Sequence, residues 1–123
     1  MMSKENLLFD TYALFEIIDK NPKYAKYLEK NAVINEFIFA ELCYNLTKDN
    51  AENIDEILNE LKFAIVHAKP EWIKEAMQFR VKWKDRNVSM ADCISYVMSK
   101  KLDIKFLTGD KEFEGMENVE FVK

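Results

Sequence analysis

Four acidic residues of this chain stand where an ordinary fold would not place a charge. Each lies inside a stretch of apolar residues or follows closely after one. The four residues are Asp10, Glu41, Asp92 and Asp110. Because an ionised carboxylate that leaves water is costly unless another group compensates it, four such positions suggest one shared compensating group. A divalent cation held by oxygen ligands is the natural candidate.

The length and composition predict one globular domain that covers residues 1–123, since 49% of the residues are hydrophobic. No apolar stretch approaches the roughly 18 residues that a transmembrane helix needs, so we expect no membrane association. Residues 1–6 are not followed by the apolar region of a secretory signal. Cys43 and Cys93 each lie among apolar residues and are interpreted as reduced packing residues. We therefore expect a cytoplasmic protein.

Several classes of site are excluded because the chain has very few glycine, histidine and cysteine residues. With only Gly109 and Gly115, it cannot build a glycine-rich phosphate loop. With His67 as the single histidine and two isolated cysteines, it offers no common zinc motif. Nucleophilic triads would have to use His67, and a lone histidine at a strand end is more often structural. The net charge of −4 argues against a large nonspecific nucleic-acid surface, but not against a metal site for a phosphodiester.

Apolar periodicity predicts strands that alternate with helices along the whole chain. Strands are predicted over residues 5–9, 63–67, 104–107 and 119–122. Helices are predicted to begin at Thr11, Pro22, Asn35, residue 50, Pro70 and Ser89, with ends near Thr47, Leu61, Arg86 and Leu102 for the last four. This alternation is typical of an α/β fold with a mostly parallel sheet.

Two of the four acids follow predicted strands. Asp10 is the first residue after the first strand, and Asp110 follows the strand of residues 104–107 by three. Ligands of open parallel sheets bind outside the carboxyl ends of the strands. Both residues are therefore expected at the functional edge of the sheet.

Three of the acids also have a purely structural interpretation. Asp10 could cap the helix that begins at Thr11, and Asp110 could cap a turn at residues 111–113. Asp92 stands three residues after Ser89, the spacing of a capping box. Glu41 is about six residues into its helix, too deep to cap it.

Convergence of the four acids on one point would itself be costly. Each pair of carboxylates at ~4 Å repels by ~4 kcal/mol at an effective dielectric near 20. Such an arrangement is tolerated chiefly where a metal ion resolves the repulsion.

The acids lie in short motifs that together resemble, in order and spacing, those of PIN-domain ribonucleases. By size the chain is most similar to the VapC-type toxins of toxin–antitoxin modules. The motifs are residues 8–14 (LFDTYAL), Glu41-Leu42, residues 90–93 (MADC) and residues 106–113 (FLTGDKEF). At the start of the third predicted helix the chain departs from the family, with Asn35-Glu36 where such toxins often carry Ser or Thr.

This resemblance implies a three-layer α/β/α sandwich and hydrolysis of RNA that depends on Mg²⁺ or Mn²⁺. The residues that it assigns to catalysis and metal binding are Asp10, Glu41, Asp92 and Asp110, with Thr11 and Thr108 as supporting hydroxyls. It also implies a cognate antitoxin protein as partner. The aromatic residues of the first helices, Tyr12, Phe15, Tyr24 and Tyr27, add the expectation of a homodimer.

Other functions stay open at this level. One is a catalytically silent PIN-like module that binds RNA or protein, and another is a metal-dependent DNA nuclease or a phosphatase with a similar acidic site. The basic segment of residues 80–86 could follow an RNA backbone. A solvated helix end is the preferred interpretation of that segment, because cations also complement helix carboxyl termini.

Overall fold

A computed structural model describes residues 4–123, and its centre is a five-stranded sheet. The strands are β1 Asn6–Phe9, β2 Asn31–Ile34, β3 Ala64–Ile65, β4 Lys105–Thr108 and β5 Val119–Phe121. Their order is β3-β2-β1-β4-β5, and every neighbouring pair is parallel. The predicted α/β class with a parallel sheet is confirmed.

Helices cover both faces of this sheet. The α-helices are α1 Thr11–Ile18, α2 Glu36–Lys48, α3 Ile54–Leu61, α4 Pro70–Lys82 and α5 Met90–Lys101, and 3₁₀ helices span Pro22–Glu29 and Lys111–Phe113. Leu7, Leu8 and Phe9 are at most 2% exposed although consecutive strand residues point to opposite faces, so neither face of β1 meets solvent. No helix within residues 4–123 is long and apolar enough to cross a membrane.

The chain reverses its direction across the sheet between β3 and β4. It builds β1, β2 and β3 outward on one side, then returns to place β4 against the other side of β1. Leu8 pairs with Val33 of β2 and with Phe106 of β4. In open α/β sheets the crevice at such a reversal is where ligands bind, so the fold places a binding edge at the carboxyl ends of β1 and β4.

The sheet differs from the sequence prediction at two strands. β2 was not predicted, because Asn31–Ile34 has only two β-branched residues and becomes a strand by pairing with β1, a contact that is distant in the sequence. β3 is limited to Ala64–Ile65 instead of residues 63–67, and both of its residues are exposed at the sheet edge. His67 lies beyond this strand with its side chain 77% exposed, and its Nδ1 is 3.2 Å from Glu36.

The segment after α1 has a tighter helical period than predicted. Residues 22–29 form a 3₁₀ helix, in which residues three apart share a face. Tyr24 and Tyr27 are therefore buried, whereas Ala25 and Leu28, which an α-helical period would also turn inward, are exposed. The hydroxyl of Tyr24 donates to the carbonyl of Val122 at 2.6 Å. Tyr24 and Tyr27 thus belong to the core of this chain, which removes them from the surface proposed for a homodimer.

Helix α4 ends four residues before the predicted boundary at Arg86. Its C-cap is Trp83, whose ring packs 4.4 Å from that of Phe79 and 5.7 Å from that of Phe113. Lys84 consequently lies outside the helix and does not extend a helical face that begins at Arg80. Asn35 and Ser89 cap α2 and α5 as predicted, and Cys43 and Cys93 are both free.

Candidate active site

All four predicted acids line one open cleft at the carboxyl ends of β1 and β4, with a volume of about 540 Å³. They arrive from different parts of the chain. Asp10 and Asp110 follow the two strands, Glu41 comes from α2, and Asp92 comes from the first turn of α5. The structure therefore brings together the residues that the sequence singled out separately.

Asp10 is the most enclosed of the four, with 4% of its surface exposed. One carboxylate oxygen accepts a hydrogen bond from the backbone N–H of Ala13 at 2.8 Å, which caps α1. The other accepts from the hydroxyl of Thr108 at 2.5 Å. Burial raises the pKa of Asp10 to about 7, against the lowering effect of these two bonds, and the charges of Asp92 and Asp110 raise it further.

Thr108, the last residue of β4, connects two of the acids. Its hydroxyl donates to Asp10 and accepts from the backbone N–H of Asp110 at 3.0 Å. The side chain is fully buried and does not line the cleft. Thr108 therefore fixes Asp10 relative to the chain that carries Asp110.

Thr11 plays a similar part for Glu41. Its hydroxyl donates to Glu41 at 2.8 Å and so joins the start of α1 to the middle of α2. Glu41 is half-buried rather than enclosed, and burial raises the pKa of its carboxyl, with a smaller contribution from the charge of Asp92. Asn45, one turn further along α2, donates to the backbone carbonyl of Glu41 at 2.9 Å and not to its carboxylate.

Asp92 satisfies both of its sequence interpretations. It forms a complete capping box with Ser89, in which its carboxylate accepts from the Ser89 N–H at 3.1 Å. It also lines the cleft, and its pKa is raised by burial and by the charge of Asp110. Asp110 likewise caps the short helix of residues 111–113 by accepting from Glu112 N–H at 3.0 Å. Capping thus orients these carboxylates and does not withdraw them from the cleft.

A close approach of backbone segments explains the glycine between β4 and Asp110. A Cβ on Gly109 would lie 2.6 Å from the carbonyl oxygen of Val122 and would overlap the ring of Tyr12. Only glycine fits here without displacing the β5 end or the wall of the cleft.

The donor set of the cleft suits a hard divalent cation. Carboxylate oxygens are the ligands that Mg²⁺ and Mn²⁺ prefer. Among the described residues, Glu41, Asp92 and Asp110 each accept hydrogen bonds through one oxygen only, which leaves their second oxygen available. No three acidic, histidine or cysteine side chains within residues 4–123 already surround one point as metal ligands. The chemistry of the residues therefore fits the cation, and binding would draw the carboxylates inward.

The cleft also contains residues that sequence reasoning did not select. Tyr12, Asn87 and Lys123 line it, as does Lys111, which the sequence showed only as a basic residue. Lys111 directly follows Asp110, so its adjacency was a usable signal. Asn87 lies in the loop before α5, and Lys123 follows β5. No local sequence pattern indicates that either residue would lie at the cleft.

The amino-acid sequence matches the family model of the PIN domain over residues 7–119. No curated protein matches it significantly. Several solved structures share its fold at low sequence identity. A toxin–antitoxin complex from Klebsiella pneumoniae has a TM-score of 0.75 at 19% identity, covering 93% of this chain and 95% of the other.

Two further solved structures have slightly lower TM-scores. VapC20 of Mycobacterium tuberculosis, described as a toxin that cleaves the sarcin–ricin loop, has a TM-score of 0.70 at 14% identity, with 94% and 96% of the two chains covered. VapBC2 of Rickettsia felis, bound to a promoter DNA fragment, has a TM-score of 0.70 at 15% identity, with 95% and 97% covered. At these identities the likeness concerns the fold.

The raised pKa of Asp10 predicts how metal-free stability depends on pH. Below pH 3.8, the ordinary pKa, the carboxyl is protonated in both the folded and the unfolded chain. Between 3.8 and about 7 only the folded state holds the proton, so this contribution to stability falls as pH rises. Asp10→Asn keeps a capping acceptor and carries no charge. We expect this variant to be more stable than the wild type at about pH 8 and to keep less than half of that advantage at about pH 5.

Urea unfolding in EDTA at the two pH values measures this difference. Asp103→Asn, the same substitution at an exposed position, is the matched control and should change stability equally at both. If the effect of Asp10→Asn on stability did not depend on pH, burial would not raise the pKa of the Asp10 carboxyl.

Proposed function

The chain belongs to the PIN domain family, and on that premise we propose that it is a metal-dependent endoribonuclease that hydrolyses RNA phosphodiester bonds in the acidic cleft. Membership of this family supports a nuclease, and the resemblance drawn from the sequence motifs is confirmed at the level of the family. The proposed biological role is that of the toxin of a toxin–antitoxin pair.

The observation that carries the proposal is the meeting of four carboxylates in one cleft at the β1–β4 reversal. Burial raises the pKa of three of them, Asp10, Glu41 and Asp92, which means that their charges are not compensated by the protein. A structural purpose alone would not require the caps of α1, α5 and the 111–113 helix to face one another. A shared cation gives the arrangement a reason.

The proposed roles follow from position. Asp10 and Asp110, at the ends of adjacent strands, are the proposed direct ligands of Mg²⁺ or Mn²⁺. Glu41 and Asp92 complete the set, either as further ligands or by orienting the attacking water. When bound, the cation would neutralise charge on the phosphoryl oxygens and lower the pKa of that water. Thr108 and Thr11 hold Asp10 and Glu41 in place through the hydrogen bonds described above.

The residues that line the cleft favour hydrolysis without a covalent intermediate. The cleft contains no histidine or cysteine among its described lining residues, so its chemistry is limited to carboxylates, hydroxyls and lysines. Lys111 and Lys123 stand at the same cleft and can approach the charge that develops on the phosphate. Hydrolysis by an oriented water molecule is therefore the reaction class that this donor set favours.

A shared cation site predicts that metal stabilises the folded protein. We expect Mg²⁺ to raise the melting midpoint and Mn²⁺ to do so at lower concentration, because a ligand of the native state stabilises it by mass action. Thermal scans in EDTA and across a titration of each cation measure the effect. Identical melting curves in EDTA and in millimolar Mn²⁺ would contradict the shared site.

Removal of one charge from the cleft should separate activity from stability. Asp92→Asn keeps a side-chain oxygen for the Ser89 N–H, so we expect little change in metal-free stability. Ribonuclease activity in Mn²⁺ should fall by about 10²-fold or more, because cation and water lose their position together. Asp103→Asn, at the opposite end of α5 and exposed, is the control and should retain full activity.

The cleavage assay in Mn²⁺ decides between the competing functions when RNA and DNA substrates of the same nucleotide sequence are compared. Cleavage of RNA that Asp92→Asn abolishes supports the ribonuclease, whereas preferential cleavage of DNA identifies the DNA nuclease. Binding without cleavage of either would identify the catalytically silent module. A fully active but destabilised Asp92→Asn would show that Asp92 serves only the capping box.

The proposed protein partners are an antitoxin and a second copy of the chain. Among the described residues, large apolar side chains remain at the surface, including Leu28, Tyr44 and Val81, each at least 65% exposed. Burial of part of this surface would favour a homodimer. Light scattering at high concentration should give the dimer mass, and a monomer mass would remove the dimer without affecting the nuclease.

A further inference from the structure

The last turn of α4 and the loop that follows it, residues 80–86, carry four cations that no carboxylate of the described chain pairs with. Arg80, Lys82, Lys84 and Arg86 have no carboxylate oxygen within 4.0 Å among residues 4–123. Within residues 4–123 only three lysine or arginine side chains contact a carboxylate: Lys30, Lys100 and Lys101, at 3.1, 2.8 and 2.9 Å. What distinguishes residues 80–86 is therefore the density of positive charge, since four cations stand with the single carboxylate of Asp85 in a chain whose net charge is −4.

Arg86 is exposed, yet two contacts hold its side chain in place. Its guanidinium carbon lies 4.5 Å from the centre of the Trp83 ring, and its Nη1 donates to the backbone carbonyl of Glu112 at 2.5 Å. Neither contact cancels the positive charge. A cation that is already ordered loses less side-chain entropy when it binds an anion, so the arrangement is suited to recognition.

Trp83 is itself anchored from the other side. Its ring belongs to an aromatic cluster with Phe79, Tyr96 and Phe113. The guanidinium is thus stacked on a rigid surface that is continuous with the core. Because Trp83 packs against the core, the Arg86 side chain that lies on its ring is held in place, unlike that of an ordinary surface arginine.

These residues surround a hollow of about 350 Å³ that lies beside the acidic cleft. Arg80, Lys84 and Arg86 supply its cations, and Met77, Val81 and Val88 add apolar surface. Arg80 is oriented by a bond from its Nε to the carbonyl of Val88 at 3.3 Å. A cavity of this size with an apolar floor and a few polar groups is typical of a small-molecule site, here the size of one nucleotide.

The hollow and the acidic cleft are connected both by consecutive residues of the chain and by a hydrogen bond. Asn87, the next residue after Arg86, lines the cleft, and so does Glu112, whose carbonyl accepts from Arg86. An RNA strand held at the acidic cleft would therefore continue past Arg86. The carboxylates and their cation serve the phosphate that reacts, whereas the adjacent phosphate needs a separate positive group.

We propose that this hollow binds the RNA nucleotide next to the cleavage site, with its phosphate at Arg86 and Lys84 and its base or ribose against the apolar floor. The inference rests on the proposed ribonuclease function and assigns where that substrate is held. Arg86 and Lys84 are positioning residues in this account, since they contact the substrate away from the reacting atoms.

A structural role for Arg86 is the competing explanation, because its bond to Glu112 ties the loop to the helix of residues 111–113. The two explanations differ in their dependence on salt. A cation that contacts phosphate contributes to counterion release, about 0.7 in the slope of log K against log salt for a single strand. A structural tie contributes nothing to that slope.

The experiment measures binding of a short fluorescent single-stranded RNA by anisotropy between about 50 and 200 mM salt. Ca²⁺ is the divalent cation present, and a gel verifies that the RNA stays intact. We expect Arg86→Gln to lower the slope by about 0.7 and to weaken binding several-fold at low salt. Lys84→Gln replaces an exposed side chain that has no hydrogen bond or ion pair within residues 4–123. It should lower the slope similarly and remains informative if Arg86→Gln does not fold.

Lys69→Gln is the matched control. Lys69 also places a cation over a tryptophan ring, 5.1 Å from Trp72, but it stands at the opposite end of the 13-residue helix α4 and does not line the cleft or the hollow. This substitution should leave the slope unchanged. Arg86→Lys retains the charge, so the slope should persist while the affinity falls with the loss of the planar fork.

Unchanged salt slopes for both Arg86→Gln and Lys84→Gln would overturn the proposal, and a lowered melting midpoint in Arg86→Gln would then identify a structural tie. Cleavage in Mn²⁺ is assayed separately on the wild type. Normal RNA cleavage by the wild type together with unchanged salt slopes in the two variants would refute only the proposal that the hollow binds RNA. Lowered slopes without any cleavage support the hollow as an RNA-binding site and refute the proposed enzymatic function.

Discussion

The buried carboxylate at the end of β1 is the constraint on which the rest of the site depends. Asp10 is held by the hydroxyl of Thr108 from β4 and by the N–H of Ala13 from α1, so one side chain joins two strands and a helix at the point where the sheet reverses. These bonds do not remove the cost of its burial, because the pKa remains raised to about 7. Only a proton or a cation can relieve that cost, and the chain places three more carboxylates where a cation could be shared.

Capping and a place in a binding site are often treated as alternatives for an acidic residue, but in this fold the carboxylates that cap also line the cleft. A carboxylate that accepts a backbone N–H at a helix start is fixed in direction, and Asp10, Asp92 and Asp110 are all fixed in this way. The helices capped by Asp10 and Asp110 start directly after β1 and β4, at the carboxyl edge of the sheet, whereas α5, whose capping box contains Asp92, follows α4. All three helix starts face the same cleft, and the cost of gathering their charges is offset by contacts that each helix needs in any case.

What the sequence predicts correctly is what is determined locally. Apolar runs followed by capping residues locate β1, β4, α2 and α5, and with them the four acids. The sequence does not reveal β2, whose few residues become a strand only through pairing with β1. It also misplaces Leu28, because a 3₁₀ period and an α period are hard to distinguish over eight residues. The sequence does identify the basic segment of residues 80–86, but it does not reveal that Arg86 is held in place, because the contacts that hold it come from Trp83 and from a carbonyl 26 residues away.

The distribution of charge reconciles the acidic composition of this protein with the polyanionic substrate that we propose for it. The net charge of −4 is not spread evenly, since four carboxylates lie together in the cleft and the unpaired cations of residues 80–86 lie beside it. A divalent cation bound in the cleft would cancel two of its four negative charges and so weaken its repulsion of a phosphate chain. Without the metal, the cleft repels a phosphate chain that the loop attracts. Affinity for RNA would then depend on the same ion as the chemistry, so that substrate is retained mainly by protein that is ready to cleave it.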